Sequence, residues 1–366
     1  MAKIRHVFPG GNTCQGFYSF YDYMVSPQVQ RKFVLKGGPG VGKSTFMKKM
    51  GEDFYKQGFD IEYHWCSSDN NSLDGVVIGN HQFCFLDGTA PHIVDPKFPG
   101  AVDEIINLGQ FWDLDKIACH RDQIEKLSQN IARCFSRAYM RLKEASIAYE
   151  EWKSYFEEGV DTGAVKRNIR ALTEDFLSNT SEKKGKTRHL FPGAITPEGM
   201  VTKINSLLSE DTAIFAVKGN PGSGVDKLFA YTLNIIEIQD IEAEIYHNPF
   251  YPAEIDLILL PISNRALLNI SGYIFAYAPL IPGSKYKRLL DFDQFVSKSL
   301  IDSYAQLIHR AQERVEAGIK EAVYFINTAK KYHDELESFY IPSMDFAAIE
   351  ELRQNILEKL INTLEK

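Results

Sequence analysis

Short apolar runs, each closed by glycine, proline or a polar pair, fill the first hundred residues, and a long stretch of helical periodicity follows them. Residues 17–24 read as an opening helix. Residues 33–35 read as a short buried strand that runs into a glycine loop, and residues 44–56 as the helix after it. Residues 60–65 make a second strand. Two more apolar runs, 75–78 and 83–86, lie close together through Gly79-Asn80, a tight-turn pair. Strands alternating with helices predict a mainly parallel sheet covered on both faces, and the close pair predicts one antiparallel strand in it. Residues 116–158 then contain neither Gly nor Pro. An unbroken helix of that length would be about 60 Å long at ~1.5 Å per residue. Gly159-Val160-Asp161-Thr162-Gly163 stops it, and Asp161 or Thr162 caps a return helix to about residue 177.

The whole pattern is written twice. "RHVFPGG" at Arg5 returns as "RHLFPGA" at Arg188, an offset of 188 − 5 = 183. Thr13, Gly16 and Phe17 return as Thr196, Gly199 and Met200, again at 183. "FVLKGGPGVG" at Phe33 returns as "FAVKGNPGSG" at Phe215, and "LDGVVI" at Leu73 as "IDLILL" at Ile255, both at 182. "PKFPG" at Pro96 returns as "PLIPG" at Pro279, and "QF" at Gln110 returns at Gln294. Collinear matches at a nearly constant offset indicate an internal duplication. The second copy accordingly predicts an opening helix over 200–208, strands over 214–217 and 242–246, a helix over 293–340 broken at Pro342, and a return helix to the C-terminus. The expected organisation is two tandem α/β/α cores, residues 1–115 and 186–296, each followed by a helical hairpin, residues 116–182 and 297–366. The polar stretch 178–186, "SNTSEKKGK", reads as the linker.

Composition narrows the class. The chain has 366 residues, 44% hydrophobic and 24% charged, which suits about two ordinary globular domains. Its net charge of −7 gives no general attraction for nucleic acid or an anionic membrane surface. The five cysteines, Cys14, Cys66, Cys84, Cys119 and Cys134, form no C-x-x-C pair and read as thiols of a reducing compartment. His64 and Cys66 lack a second pair at metal-ligand spacing. The N-terminus carries no apolar signal core, and no window approaches a membrane span, so a cytoplasmic protein is expected.

Chemistry concentrates in one loop. Gly37-Gly38-Pro39-Gly40-Val41-Gly42-Lys43-Ser44 fits G-x-x-x-x-G-K-[ST], between a strand and a helix as that motif requires. Its glycines let backbone N–H groups form a nest around phosphate oxygens. Lys43 is placed to reach the β- and γ-phosphates of ATP or GTP, Ser44 to give an oxygen to Mg²⁺, with Thr45 next along the helix. The first half thereby resembles a P-loop NTPase. The whole chain, with two copies and "DGTAPH" after the fourth apolar run, resembles a bacterial family of tandem P-loop ATPases whose second copy is degenerate here. That resemblance implies ATP binding and a cytoplasmic location. It spans nearly the whole chain, although its specific motif covers only residues 37–45.

A phosphate loop needs an acidic metal partner at the end of an apolar strand. Asp87, closing "FCFLD", fits. Asp74 is the rival, but its counterpart Asp256 survives in the second copy whereas Asp87 becomes Asn269. A carboxylate lost together with the lysine reads as functional, and one kept in both copies as structural. His92, Asp95 and Asp69 are candidates to orient water, and Arg265 and Arg188 candidates to reach a phosphate in trans. In the second loop Val225 replaces Lys43, Asp226 replaces Ser44 and Lys227 replaces Thr45. Asp226 would repel phosphates unless a cation intervenes, and Lys227 should point away. The expected function is an ATP hydrolase with one competent site and one pseudo-site, used as a conformational switch, with the hairpins as arms for a protein partner. One alternative is a small-molecule or nucleotide kinase, with residues 66–75 as acceptor loop and Arg133, Arg137 and Arg141 as a lid stripe. Another is a nucleotide-binding scaffold. A salt-bridged, solvated face is the plainer reading of that arginine stripe.

Overall fold

The computed structural model describes residues 2–26, 28–79, 82–89, 93–178, 184–275, 277–281 and 285–364. The first copy runs β1 (Ile4–Val7), β2 (Gly10–Thr13), β3 (Gly16–Ser19), β4 (Arg31–Lys36), α1 (Lys43–Lys56), β5 (Ile61–Trp65), β6 (Leu73–Ile78), β7 (Phe83–Asp87), β8 (Asp103–Asn107), α2 (Leu114–Ala118), α3 (Arg121–Glu158) and α4 (Thr162–Leu177). The second runs β9 (Thr187–Leu190), β10 (Gly193–Thr196), β11 (Gly199–Thr202), β12 (Ala213–Lys218), α5 (Val225–Ile238), β13 (Ala243–His247), β14 (Ile255–Leu260), β15 (Arg265–Asn269), β16 (Tyr286–Asp291), α6 (Lys298–Tyr340) and α7 (Phe346–Leu364). Among the described residues no helix is long and apolar enough to cross a membrane.

The protein is mixed α/β, with two six-stranded, mainly parallel sheets. Their strand orders are β1-β5-β6-β7-β4-β8 and β9-β13-β14-β15-β12-β16, the same order in each copy. Registers repeat as well. Leu35 pairs with Asp87 on parallel strands, and Val217 pairs with Asn269 in the same way. The antiparallel strand is β6 in one sheet and β14 in the other. Even the irregularity in β5 after His64 recurs in β13 after Tyr246, an offset of 246 − 64 = 182. Duplication thus extends from sequence to backbone detail.

Three expectations require correction. Residues 17–24 and 200–208 are not helices. Each begins with the second strand of a β-hairpin, β2–β3 or β10–β11, and continues into a short 3₁₀ turn. Gly16 (φ 90°) and Gly199 (φ 104°) close those hairpins in a conformation that suits glycine. The Thr13 and Thr196 hydroxyls each donate 2.9 Å to the carbonyl of that glycine. The stretch 116–158 is not one helix either: the chain tightens at Cys119–His120, where His120 N–H bonds to Ile117 O, and separates α2 from α3. Finally, the helix expected from residue 293 starts at Lys298, because residues 292–295 form a 3₁₀ turn capped by Asp291. Asp161 does cap α4, accepting from Gly163 N–H and Ala164 N–H.

The compact units are not the linear halves. One comprises residues 1–9, 21–136 and 325–366, and the other residues 10–20 and 137–324. The sheet of the first copy is therefore packed by α7, and the sheet of the second by α4. In α7 the buried face is Ile349, Arg353, Ile356, Leu357 and Leu360. In α4 it is Val165, Ile169, Leu172, Thr173 and Phe176, the same spacing at an offset of 349 − 165 = 184. Both are helical stripes that bury one face. The α7 stripe joins the core of Phe33, Phe46, Met50 and Phe85, and the α4 stripe that of Phe215, Leu228, Phe229 and Leu267. Polar pins mark each docking: Arg353 pairs with Asp53 at 2.6 Å, and Thr173 bonds Thr232 at 2.8 Å. On the opposite face of β6 and β7, Val77, Cys84 and Leu86 pack on Met24, Tyr21 and Val25.

Candidate functional site

In the first unit, β4 delivers the chain into residues 37–42, and α1 starts at Lys43. Gly40 (φ 68°) and Gly42 (φ 85°) hold left-handed backbone, which makes the turn and favours glycine at both. Val41 is buried and anchors the loop to the core. Lys43 Nζ donates to the carbonyls of Gly37 (3.1 Å) and Gly38 (2.8 Å), and lies 3.6 Å from Asp87 Oδ2. Ser44 Oγ accepts the Leu73 N–H at 3.0 Å, while Thr45 is exposed. Asp87 ends β7 beside β4, and its Oδ1 accepts Thr89 N–H at 2.9 Å and the Thr89 hydroxyl at 2.5 Å. The structure thus brings Lys43 and Asp87 together at the ends of neighbouring parallel strands.

Other candidates fall elsewhere. Asp74 is buried, and burial is the main reason its carboxyl is raised to about 7. It accepts from the Tyr21 hydroxyl and Cys66 thiol, and the Asp87 charge adds to the rise. Asp95 pairs with Lys36 at 3.1 Å, and Asp69 accepts from Asn71 N–H and the Ser72 hydroxyl. His92 lies outside the described residues. Arg265 starts β15, the strand whose other end is Asn269, and donates to the carbonyls of Asp175 and Phe176 at the end of α4. Arg188 stands 3.6 Å from Glu244. Arg141, from the arginine stripe, pairs with Glu144 and Glu321.

Sequence reasoning missed what covers the loop. Glu337, in the last turn of α6, accepts the Gly40 N–H on Oε1 at 3.0 Å. A Cβ on Gly38 would meet Trp112 at 3.2 Å and Tyr340 at 3.5 Å, and one on Gly40 would meet Ile341 at 3.1 Å. No local signal ties residue 337 to residue 40, since only the docking of the α6–α7 turn joins them.

The second loop, in the second unit, keeps the geometry and changes the charges. Gly222 (φ 87°) and Gly224 (φ 112°) repeat the left-handed positions. Val225 is buried in the core where Lys43 would start the helix, and Lys227 is exposed. A cation does intervene at Asp226: Lys153 of α3 lies 2.8 Å from Asp226 and 2.9 Å from Glu254. Burial opposes its charge, but the two carboxylates outweigh that and raise its pKa above the ordinary lysine value. Tyr149 donates to Glu254 at 2.8 Å. Asn269 copies the Asp87 turn, accepting Ser271 N–H at 3.0 Å and the Ser271 hydroxyl at 2.5 Å. Gly219 N–H is held by Ser271 Oγ and Asn220 N–H by Asp293. Asp256, raised to about 7 chiefly by burial, accepts from Tyr277, Asn248 and Asn269. Asp226, Glu254, Asp256, Asn269, Tyr273 and Tyr277 line a cavity beside the loop.

No family model, curated protein or solved structure matches this chain.

Proposed function

We propose that residues 37–44 form a nucleoside triphosphate site and that the chain hydrolyses ATP or GTP there as a conformational switch, with the second loop a pseudo-site. The observation that carries this reading is the pair of matched turns. Asp87–Thr89 and Asn269–Ser271 make the same hydrogen bonds, so a carboxylate is not needed to build the turn. Its charge, kept only where Lys43 is kept, is paired with that lysine at 3.6 Å and would be shared with a metal–phosphate ligand. The donor set suits Mg²⁺, a hard cation that takes oxygen ligands and keeps phosphate and water in its shell. Ser44 Oγ and the Asp87 carboxylate would hold it, directly or through water. When bound, Mg²⁺ would offset charge on the β- and γ-phosphates. Lys43 would exchange the Gly37 and Gly38 carbonyls for phosphate oxygens.

Calorimetric titration of Mg·ATP into the full chain tests the reading. One strong site is expected in the parent and none in Lys43→Ala, with phosphate release lost as well. Two strong sites, or turnover surviving Lys43→Ala, would show the second loop to be a working variant. Residues 66–75 reach the site through the Leu73–Ser44 hydrogen bond, which keeps phosphoryl transfer to a small acceptor as a second reading. ATP consumption that rises only with an acceptor would favour that transfer.

A further inference from the structure

The Gly40 N–H belongs to the ring of loop donors that face phosphate in a nest of this kind. In this structure it is taken by a carboxylate, Glu337 Oε1 at 3.0 Å, from 297 residues away in the chain. Lys43 is folded back onto the loop's own carbonyls, so donor and cation are both satisfied without any ligand. Around them Ile341 and Phe346 close on Gly40 and Gly42, and Trp112 and Tyr340 on Gly38. Glu337 is half-buried, with His333 Nδ1 3.8 Å away.

The second unit shows that this helix position faces the loop by construction. Lys153 stands at 337 − 153 = 184, the offset that also relates α7 to α4. A Cβ on Gly222 would meet the Lys153 carbonyl at 2.2 Å, as one on Gly40 would meet the Glu337 carbonyl at 3.4 Å. The charge at that position is opposite to the charge of its loop. An acid faces the loop that carries Lys43, and a lysine faces the loop that carries Asp226. Where the loop has lost its lysine, the helix supplies a permanent cation. Where the loop keeps its lysine, the helix supplies an anion.

We propose that Glu337 is a built-in competitor of the nucleotide: its carboxylate holds the loop N–H that a phosphate oxygen would take, so loading requires the last turn of α6 to release the loop. The proposal rests on residues 37–44 being the nucleotide site. Two anions cannot share one N–H, and a carboxylate left beside phosphates would repel them. Nucleotide binding would therefore be read out as movement of the α6–α7 turn, which gives the switch a mechanical output.

Mg·ATP is titrated into the full chain as parent, Glu337→Gln and Glu337→Ala, with Lys43→Ala as reference. Removing a competitor raises the fraction of loop competent to bind, so Glu337→Ala, which loses both acceptor and charge, should bind about tenfold more tightly than the parent. Glu337→Gln, which keeps an acceptor and loses only the charge, should gain less. In the parent, Mg·ATP should also speed amide exchange over residues 341–346, a readout that needs no variant. Unchanged or weaker binding in both variants, or unchanged exchange, overturns the proposal while leaving the nucleotide site standing. Unchanged affinity with turnover lost in Glu337→Gln also overturns it, because Glu337 would then act on water and not against the nucleotide. Lys43→Ala binding as well as the parent overturns the nucleotide reading itself, and the competitor with it.

Discussion

In the first unit Lys43 opens α1, Asp87 ends the neighbouring strand and Glu337 faces the loop from α6. In the second, Val225 opens α5, Asn269 ends the strand and Lys153 faces the loop from α3. Backbone, register and hairpin docking are common to both. At these positions the two copies differ chiefly in charge, and Val225 also joins the core where Lys43 stays in the loop. A loop that loses its lysine also loses the strand-end carboxylate and gains an acid at the serine position. It is then neutralised by a lysine from the helix above it. Retained glycines therefore report on packing: Gly222 is needed because the Lys153 carbonyl lies where a Cβ would sit, whatever the loop does or does not bind.

The largest effects are expected at the proposed nucleotide site of the first unit. Asp87→Asn writes the second copy's solution into the first. It should abolish Mg²⁺-dependent turnover while lowering the melting temperature only modestly, because Asn269 already makes that turn and only the 3.6 Å pairing with Lys43 is lost. A large loss of stability would show instead that the Asp87 charge is structural. Next comes Lys153→Met in the second unit, which leaves Asp226 and Glu254 facing each other with no cation. Breaking a buried ion pair by removing one partner costs on the order of 3–5 kcal/mol, and partial exposure of this one, 14% at Lys153, places it toward the lower end. Denaturant unfolding measures it. Lys153→Met combined with Asp226→Leu should recover part of the loss, since the unpaired charge goes too.

A smaller effect is expected from pH. Asp74 and Asp256 are kept in both copies and both are raised to about 7, with burial the first cause. Between pH 4 and pH 7 the folded chain holds these protons and the unfolded chain does not. Stability must therefore fall as pH rises through that window. A shift of this size corresponds to at most about 4 kcal/mol per group. Asp256→Asn, which keeps neutral hydrogen bonding and cannot ionise, should flatten the fall of melting temperature over pH 4–7. An unaltered slope would show that Asp256 does not titrate there.

Much of this was legible in the sequence because it is local. The glycine loop, the strand before it and the helix after it are dictated by neighbours a few residues apart. The duplication was legible because two copies of one pattern compare themselves. Asp87 could be preferred to Asp74 by that comparison alone. The segments after residues 16 and 199 suit a strand as well as a helix, and the Thr-x-x-Gly turn at Thr13 and Thr196 decides between them. The α2–α3 break had no glycine or proline to mark it.

The placement of Lys43, Ser44, Val225 and Asp226 at the start of their helices is local, set by the glycines at residues 40 and 42 and at 222 and 224, and could be read from the sequence. What each loop faces is set by elements hundreds of residues away in the chain or on another helix. Residues 1–115 and 116–182 adjoin in sequence, yet α4 packs on the second sheet and α7 on the first. The two return helices carry identically spaced stripes, Val165 to Phe176 and Ile349 to Leu360. An apolar stripe is non-directional and reports only that a face is buried, not against which partner. The choice of partner is made by packing summed over whole helices, and it alone brings Glu337 to Gly40 and Lys153 to Asp226.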